Sequence, residues 1–213
     1  MPAMPADARR HMSMLRSYTP ADLLTIGNAA CGTVAIFLCL EHLAGQEVRF
    51  LWVAMLLLPL ALVLDLLDGY VARLDRAHQS RLGADLDSLA DVISFGVAPA
   101  VLGYTLGLRG GWDMLVLTYF VACGVSRLAR FNVTSSSLAD ETTGKVKYFE
   151  GTPIPTSVVI VGVLALALWL GRTGDALWLG AYRVGPAWFH PIVLLYAASG
   201  SAMISATLRI PKP

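Results

Sequence analysis

Residues 51–74 read LWVAMLLLPLALVLDLLDGYVARL, twenty-four positions in which only Asp65, Asp68 and Arg73 carry charge. A helix that crosses a bilayer needs roughly 20 mostly apolar residues, and this stretch supplies them. Its charges are confined to the last ten positions. A carboxylate inside a membrane span costs at least about 2–3 kcal/mol and usually marks function. The same segment therefore predicts both a membrane fold and a place for chemistry.

Working outward, five more apolar stretches follow the same logic, giving expected spans at 23–43, 51–74, 88–108, 112–128, 155–170 and 189–208. Composition agrees: 56% of the 213 residues are hydrophobic and only 15% charged, with a mean hydropathy of +0.62. Soluble domains carry about a quarter charged residues, so a soluble globular chain is excluded. A net charge of +1 gives no basic field for nucleic acid. Residues 176–182 are too few to span and are bounded by Gly174, Asp175, Arg183 and Pro186. They read as an interfacial loop carrying Trp178, Tyr182 and, just beyond, Trp188. Cys31, Cys39 and Cys123 lie in apolar stretches without metal-ligand spacing and read as small buried hydrophobes.

Twelve of the sixteen Lys and Arg fall in the two tails and in the second and fourth connections. By the positive-inside rule both termini are cytoplasmic. The expected organisation is an all-α integral membrane protein of six transmembrane helices: a cytoplasmic amphipathic or flexible tail over 1–22, a membrane domain over 23–208 and a short cytoplasmic tail over 209–213. The amino-terminal tail has Arg9, Arg10 and Arg16 but no continuous apolar core, which argues against a cleavable signal and leaves a segment lying on the inner leaflet or a frayed tail. The one long polar connection, 132–151, falls on the cytoplasmic side, where a substrate loop can work.

Asp65 and Asp68 are three residues apart at the end of the second span, and Asp87 and Asp91 four apart at the start of the third. On helices each pair shares a face. Gly69, Ala72 and Gly83 follow the same spacing, so each face combines carboxylate with missing side chain and lets a bulky ligand approach the backbone. Asp65 lies about 14 Å, by helical rise, from the cytoplasmic end of its span. Four carboxylates from adjacent helices repel one another at low dielectric. Protonation or divalent cations relieve that, and all-oxygen ligands favour Mg²⁺ or Mn²⁺ over Zn²⁺. Two such ions would neutralise the four charges in the arrangement suited to phosphoryl transfer. Asp75 and Asp85 fall off the shared faces and read as caps or partners of nearby arginines. A divalent-cation transporter is the competing reading, since acidic residues facing a groove also suit ion passage.

The pattern Asp65-x-x-Asp68-Gly69-x-x-Ala72-Arg73, then Gly83-x-x-x-Asp87-x-x-x-Asp91, resembles the signature of the CDP-alcohol phosphotransferase family. The nine residues between Arg73 and Gly83 are one more than its commonest form. Asp87–Pro99, Arg127-Leu128-Ala129-Arg130-Phe131-Asn132, Phe149–Pro155 and Thr25–Gly32 are similar to its phosphatidylserine synthase branch. The resemblance covers about residues 20–160. It implies a six-helix, homodimeric enzyme of the cytoplasmic membrane, its site facing the cytoplasm, that moves a phosphatidyl group from CDP-diacylglycerol to L-serine with release of CMP. Glycerol 3-phosphate or an inositol phosphate is the alternative acceptor. By the same resemblance Asp65, Asp68, Asp87 and Asp91 hold two divalent ions, Mg²⁺ or Mn²⁺, and Asp91 is also the general base. Gly69, Ala72, Arg73, Gly83 and Asn28 are expected on the CDP-lipid, and Ser94, Arg127, Arg130 and Asn132 around the acceptor.

Overall fold

The computed structural model of the chain describes residues 18–74, 81–138, 148–205 and 209–211. Most of the expected amphipathic tail, Asp75 and residues 139–147 of the polar connection lie outside them.

The first helix, α1 (Pro20–Gly45), starts where Thr19 and Asp22 exchange hydrogen bonds in a capping box, with Pro20 in the first turn, where its missing N–H is no loss. It ends at Gln46, whose φ of 60° turns the chain back. The turn delivers it into α2 (Val48–Leu74), which packs antiparallel along α1 and carries Pro59 in its interior. The third span is composite: α3 (Arg81–Asp91), a six-residue π-helical turn (Val92–Val97) and α4 (Ala98–Leu106) run on without a break. The wide turn precedes Pro99, which has no N–H to give a carbonyl in the turn before it. The Ala98 N–H reaches the Ile93 carbonyl, five residues back. After a tight turn, α5 (Gly111–Leu138) rises. Two shorter helices, α6 (Val158–Trp169) and α7 (Leu194–Ile204), complete the bundle.

Among the described residues, four helical stretches are long and apolar enough to cross a membrane: Pro20–Gly45, Val48–Leu74, Gly83–Leu106 and Gly111–Val133. The shorter apolar stretches Ile154–Trp169 and Pro191–Ile204 reach about 24 Å and 21 Å by helical rise, against a hydrocarbon core of about 30 Å. The structure differs from the sequence-based boundaries in two other ways. Helix α5 runs ten residues past the expected end at Leu128, because no Gly or Pro interrupts residues 125–143 and polarity alone does not stop a helix. Small strands also appear, with β1 (Tyr148–Glu150) pairing with β4 (Arg209–Pro211) and β2 (Tyr182–Val184) with β3 (Ala187–Phe189), both antiparallel.

Because α1 and α2 are apolar all round, small residues select their buried faces: Ala21, Gly32 and Ala35 on α1, Ala54 and Ala61 on α2. Large apolar side chains such as Phe37, Leu56, Leu66 and Leu115 stay exposed, as lipid-facing positions should. At the centre, Tyr196 of α7 meets Phe120 of α5 edge to face at 5.2 Å and donates its hydroxyl to the Pro99 carbonyl at 2.7 Å. Gly103 makes room, since a Cβ there would lie 2.5 Å from the Tyr196 oxygen.

The end of the bundle where α1 turns into α2 is held by Asp113. Its fully buried carboxylate accepts from the Gly110 N–H at 2.8 Å, the His190 N–H at 2.8 Å and the His190 ring Nδ1 at 2.5 Å. That clasp ties the start of α5 to the approach to α7. The exposed hairpin β2–β3 hangs beside it, with Trp112 Nε1 donating to the Val184 carbonyl at 2.9 Å.

Candidate active site

The opposite end of the bundle gathers the acidic residues. Asp65 and Asp68 come from the last turns of α2, and Asp87 and Asp91 from α3, which enters beside them; α1 passes between with Thr25 and Asn28. One carboxylate oxygen from each of Asp65, Asp87 and Asp91 lies within 4.8 Å of the others. Asp68 stands apart. It is buried, and its Oδ2 accepts from Thr25 Oγ1 at 2.6 Å. Among the described residues none of the four is ion-paired with Lys or Arg.

This donor set fits a hard divalent cation. Such ions take oxygens at about 2.0–2.6 Å, so three oxygens no more than 4.8 Å apart can close on one centre with small side-chain shifts. Two buried oxygens, Asp87 Oδ1 and Asn28 Oδ1, have no hydrogen-bond partner among the described residues. An unspent buried acceptor costs about 1–3 kcal/mol, and a cation held by the cluster offers Asp87 Oδ1 a partner.

Beside the cluster is a cavity of about 300 Å³ lined by Ala84, Asp87, Ser88, Asp91, Arg127, Leu128, Phe131, Asn132 and Pro153. That is the small end of the range for ligand pockets. Asp87 and Asp91 line it from α3. From α5, Arg127 has its Nε buried with no partner among the described residues, and Asn132 Oδ1 accepts from Ser88 Oγ at 3.1 Å. The cavity thus offers a carboxylate next to a cationic fork and an amide.

Each residue expected from sequence has a defined place. Arg127 and Asn132 line the cavity, whereas Arg130 is exposed and does not. Ser94 is fully buried behind Asp91, with its hydroxyl donated to the Asn28 carbonyl at 2.8 Å. Asn28 is itself fully buried, and its amide reaches Asp91 Oδ1 at 3.3 Å instead of a surface where a nucleotide would lie. Gly69, Ala72 and the exposed Arg73 follow Asp68 along α2, and Gly83 stands one turn before Asp87. Sequence reasoning gave no role to Ser88 as a lining residue or to Thr25; the i, i+3 spacing of Thr25 and Asn28 was the available signal.

The family model for CDP-alcohol phosphatidyltransferase matches residues 18–199, which spans all the elements that build this site. The chain belongs to that family. Membership makes it an enzyme, a phosphatidyltransferase, and sets aside the transporter reading. It is 42% identical over 205 residues to the CDP-diacylglycerol–serine O-phosphatidyltransferase of Saccharomyces cerevisiae, covering 95% of this chain and 74% of the yeast protein. Against the enzyme of that name from Bacillus subtilis, identity is 36% over 152 residues, 70% of this chain and 76% of the relative. The archaetidylserine synthase of Methanothermobacter thermautotrophicus is 40% identical over 142 residues, 66% of this chain and 54% of the relative.

Proposed function

We propose that the protein transfers the phosphatidyl group of CDP-diacylglycerol to the hydroxyl of L-serine, producing phosphatidylserine and CMP. One observation carries the reading: the small cavity is lined by Asp87 and Asp91 and also by Arg127, whose buried Nε has no partner among the described residues. Serine brings a hydroxyl and a carboxylate a few ångströms apart, and these lining groups suit them. The relatives named for serine transfer support the same acceptor.

In this mechanism Arg127 pairs with the serine carboxylate, a charge-assisted contact, and Asn132 and Ser88 fix its orientation. Asp91 takes the hydroxyl proton as general base. The serine oxygen bonds to the lipid-side phosphorus of the diphosphate, the bond to the bridging oxygen breaks, and CMP leaves with that electron pair. Arg73 meets a phosphate, while Gly69, Ala72 and Gly83 admit the cytidine diphosphate. Asp65, Asp68, Asp87 and Asp91 would hold two divalent ions, Mg²⁺ or Mn²⁺, which supply neutralisation of the diphosphate and of charge developing on the reacting oxygens.

The same reading has α6 and α7 complete six spans, places both termini and the acidic end on the cytoplasmic side of the cytoplasmic membrane, and takes the active form as a homodimer. Incubating membranes that contain the protein with CDP-diacylglycerol and one alcohol at a time, and following CMP release, tests it. Turnover with serine alone is expected. Turnover with glycerol 3-phosphate or inositol phosphate but not serine would overturn the acceptor assignment.

A further inference from the structure

The face of α1 turned toward the aspartates is built from Thr25, Asn28 and Gly32, three and then four residues apart, so all three stand on one stripe. Each makes contact across the helix boundary. Thr25 Oγ1 donates to Asp68, and Asn28 Nδ2 donates to Asp91. Gly32 admits the backbone of the π turn so closely that a Cβ would lie 2.7 Å from Ser94 Cα and 3.0 Å from its nitrogen. Ser94 Oγ then donates to the Asn28 carbonyl at 2.8 Å. The backbone that carries Asn28 is therefore locked, three residues beyond Asp91, to the helix that carries Asp91.

The amide orientation follows from chemistry. A carboxylate only accepts, so the end of Asn28 that meets Asp91 is the NH₂ group. That leaves Asn28 Oδ1 buried without a partner among the described residues. A side chain needed only to fill the gap between helices would be apolar there and avoid the cost of a buried unspent carbonyl. A Lys or Arg would instead bring a full charge into the cation site. A neutral donor is the one type that holds the carboxylate without competing for the cluster.

We propose that Asn28 is a positioning residue for the transfer reaction: it ties down Asp91 Oδ1 and so presents Oδ2 to the acceptor hydroxyl, with the Gly32–Ser94 contact holding the amide in place. This rests on the reading of Asp91 as the base.

The test compares the full-length protein in vesicles containing CDP-diacylglycerol, as wild type, Asn28→Leu, Asn28→Ser and Asp91→Asn, with Asn28→Leu also made in the Asp91→Asn background. CMP release at varied serine and CDP-diacylglycerol gives kcat and both KM values, and melting temperature reports folding. Loss of a partner that orients a reacting group costs roughly 10–100-fold. Asn28→Leu is therefore expected to lower kcat by that factor with both KM values within about two-fold. Asn28→Ser, which keeps a hydroxyl donor, is expected to fall between it and wild type, and gives the answer if the leucine variant does not fold. In the Asp91→Asn background the Asn28→Leu change should cost nothing further. A raised KM for CDP-diacylglycerol at unchanged kcat would overturn the proposal in favour of a nucleotide contact. An equal loss in both backgrounds would overturn it in favour of simple packing. Near-normal turnover by Asp91→Asn would remove the base assignment itself, whereas an inactive Asp91→Asn beside a fully active Asn28→Leu would remove only the positioning role.

Discussion

Asp113 and Asp91 are both carboxylates buried against the bundle, at opposite ends of it, and they are treated in opposite ways. Asp113 is fully enclosed and accepts three hydrogen bonds, two from backbone N–H groups and one from the His190 ring. Asp91 receives one side-chain hydrogen bond, at 3.3 Å, and shares its surroundings with Asp65 and Asp87. Around it Asp87 Oδ1, Asn28 Oδ1 and Arg127 Nε are buried without partners among the described residues. A carboxylate whose two oxygens both accept from donors within the fold is an architectural joint. One surrounded by unspent donors and acceptors leaves work for a ligand.

The sharpest way to break this contrast is to neutralise one carboxylate at each end. Asp91→Asn is expected to lower turnover by about 10³-fold, within the usual range for losing a general base, and Asp65→Ala to lower it by a similar factor through loss of a group that would hold a divalent ion. Their melting temperature should hold or rise, because like charges are removed. A collapsed melting temperature in either variant would place these residues in the same class as Asp113. Asp113→Ala should do the reverse and destabilise the protein by roughly 3–5 kcal/mol, the cost of breaking a buried pair. Its effect would be read as a lower melting temperature, with near-normal kcat in the fraction still folded.

Chelation sharpens the same comparison. EDTA is expected to abolish CMP release, and Mg²⁺ or Mn²⁺ to restore it. The Asp113 clasp uses only protein donors, so Asp113→Ala should lower the melting temperature equally with and without chelator. Arg127→Gln should raise the KM for serine by about ten-fold, equivalent to about 1.4 kcal/mol, and leave that for CDP-diacylglycerol nearly unchanged. The smallest effect belongs to the hairpin: Trp112→Phe removes one hydrogen bond, to the Val184 carbonyl, and should cost about 1 kcal/mol of stability with no change in turnover.

Much of the acidic end was legible in the sequence because its spacing is local. Three- and four-residue intervals put each aspartate pair on one helix face, and of the four expected to converge, Asp65, Asp87 and Asp91 each place a carboxylate oxygen within 4.8 Å of the others. That Asp68 falls outside that group, with its Oδ2 accepting from Thr25, was not legible, since the two residues are 43 apart in the chain. Periodicity could not choose between Arg127 and Arg130 either; that depends on how α5 is rotated against α3. The Asp113–His190 joint was invisible for the same reason, its partners being 77 residues apart. Helix ends were misjudged where hydropathy was used as the guide. Polarity marks where a membrane would stop, while breakers and caps mark where a helix stops, and in α5 the two differ by ten residues.

The wide turn at Val92–Val97 has a consequence for how the third span tolerates change. An α-helix advances about 100° per residue, and this turn stands between the aspartates of α3 and Pro99, whose carbonyl is anchored by Tyr196. It sets the phase between a reacting half and an anchored half, much as a spacer sets the angle between two gears. Changes of side chain within it leave that phase alone. Deleting a single residue within it would relax the span to an ordinary helix of nearly the same phase, since a turn closed five residues back holds one residue more than an α-helical one; inserting one instead would swing Asp87 and Asp91 about 100° around the axis, away from Asp65, even with every side chain of the cluster still present.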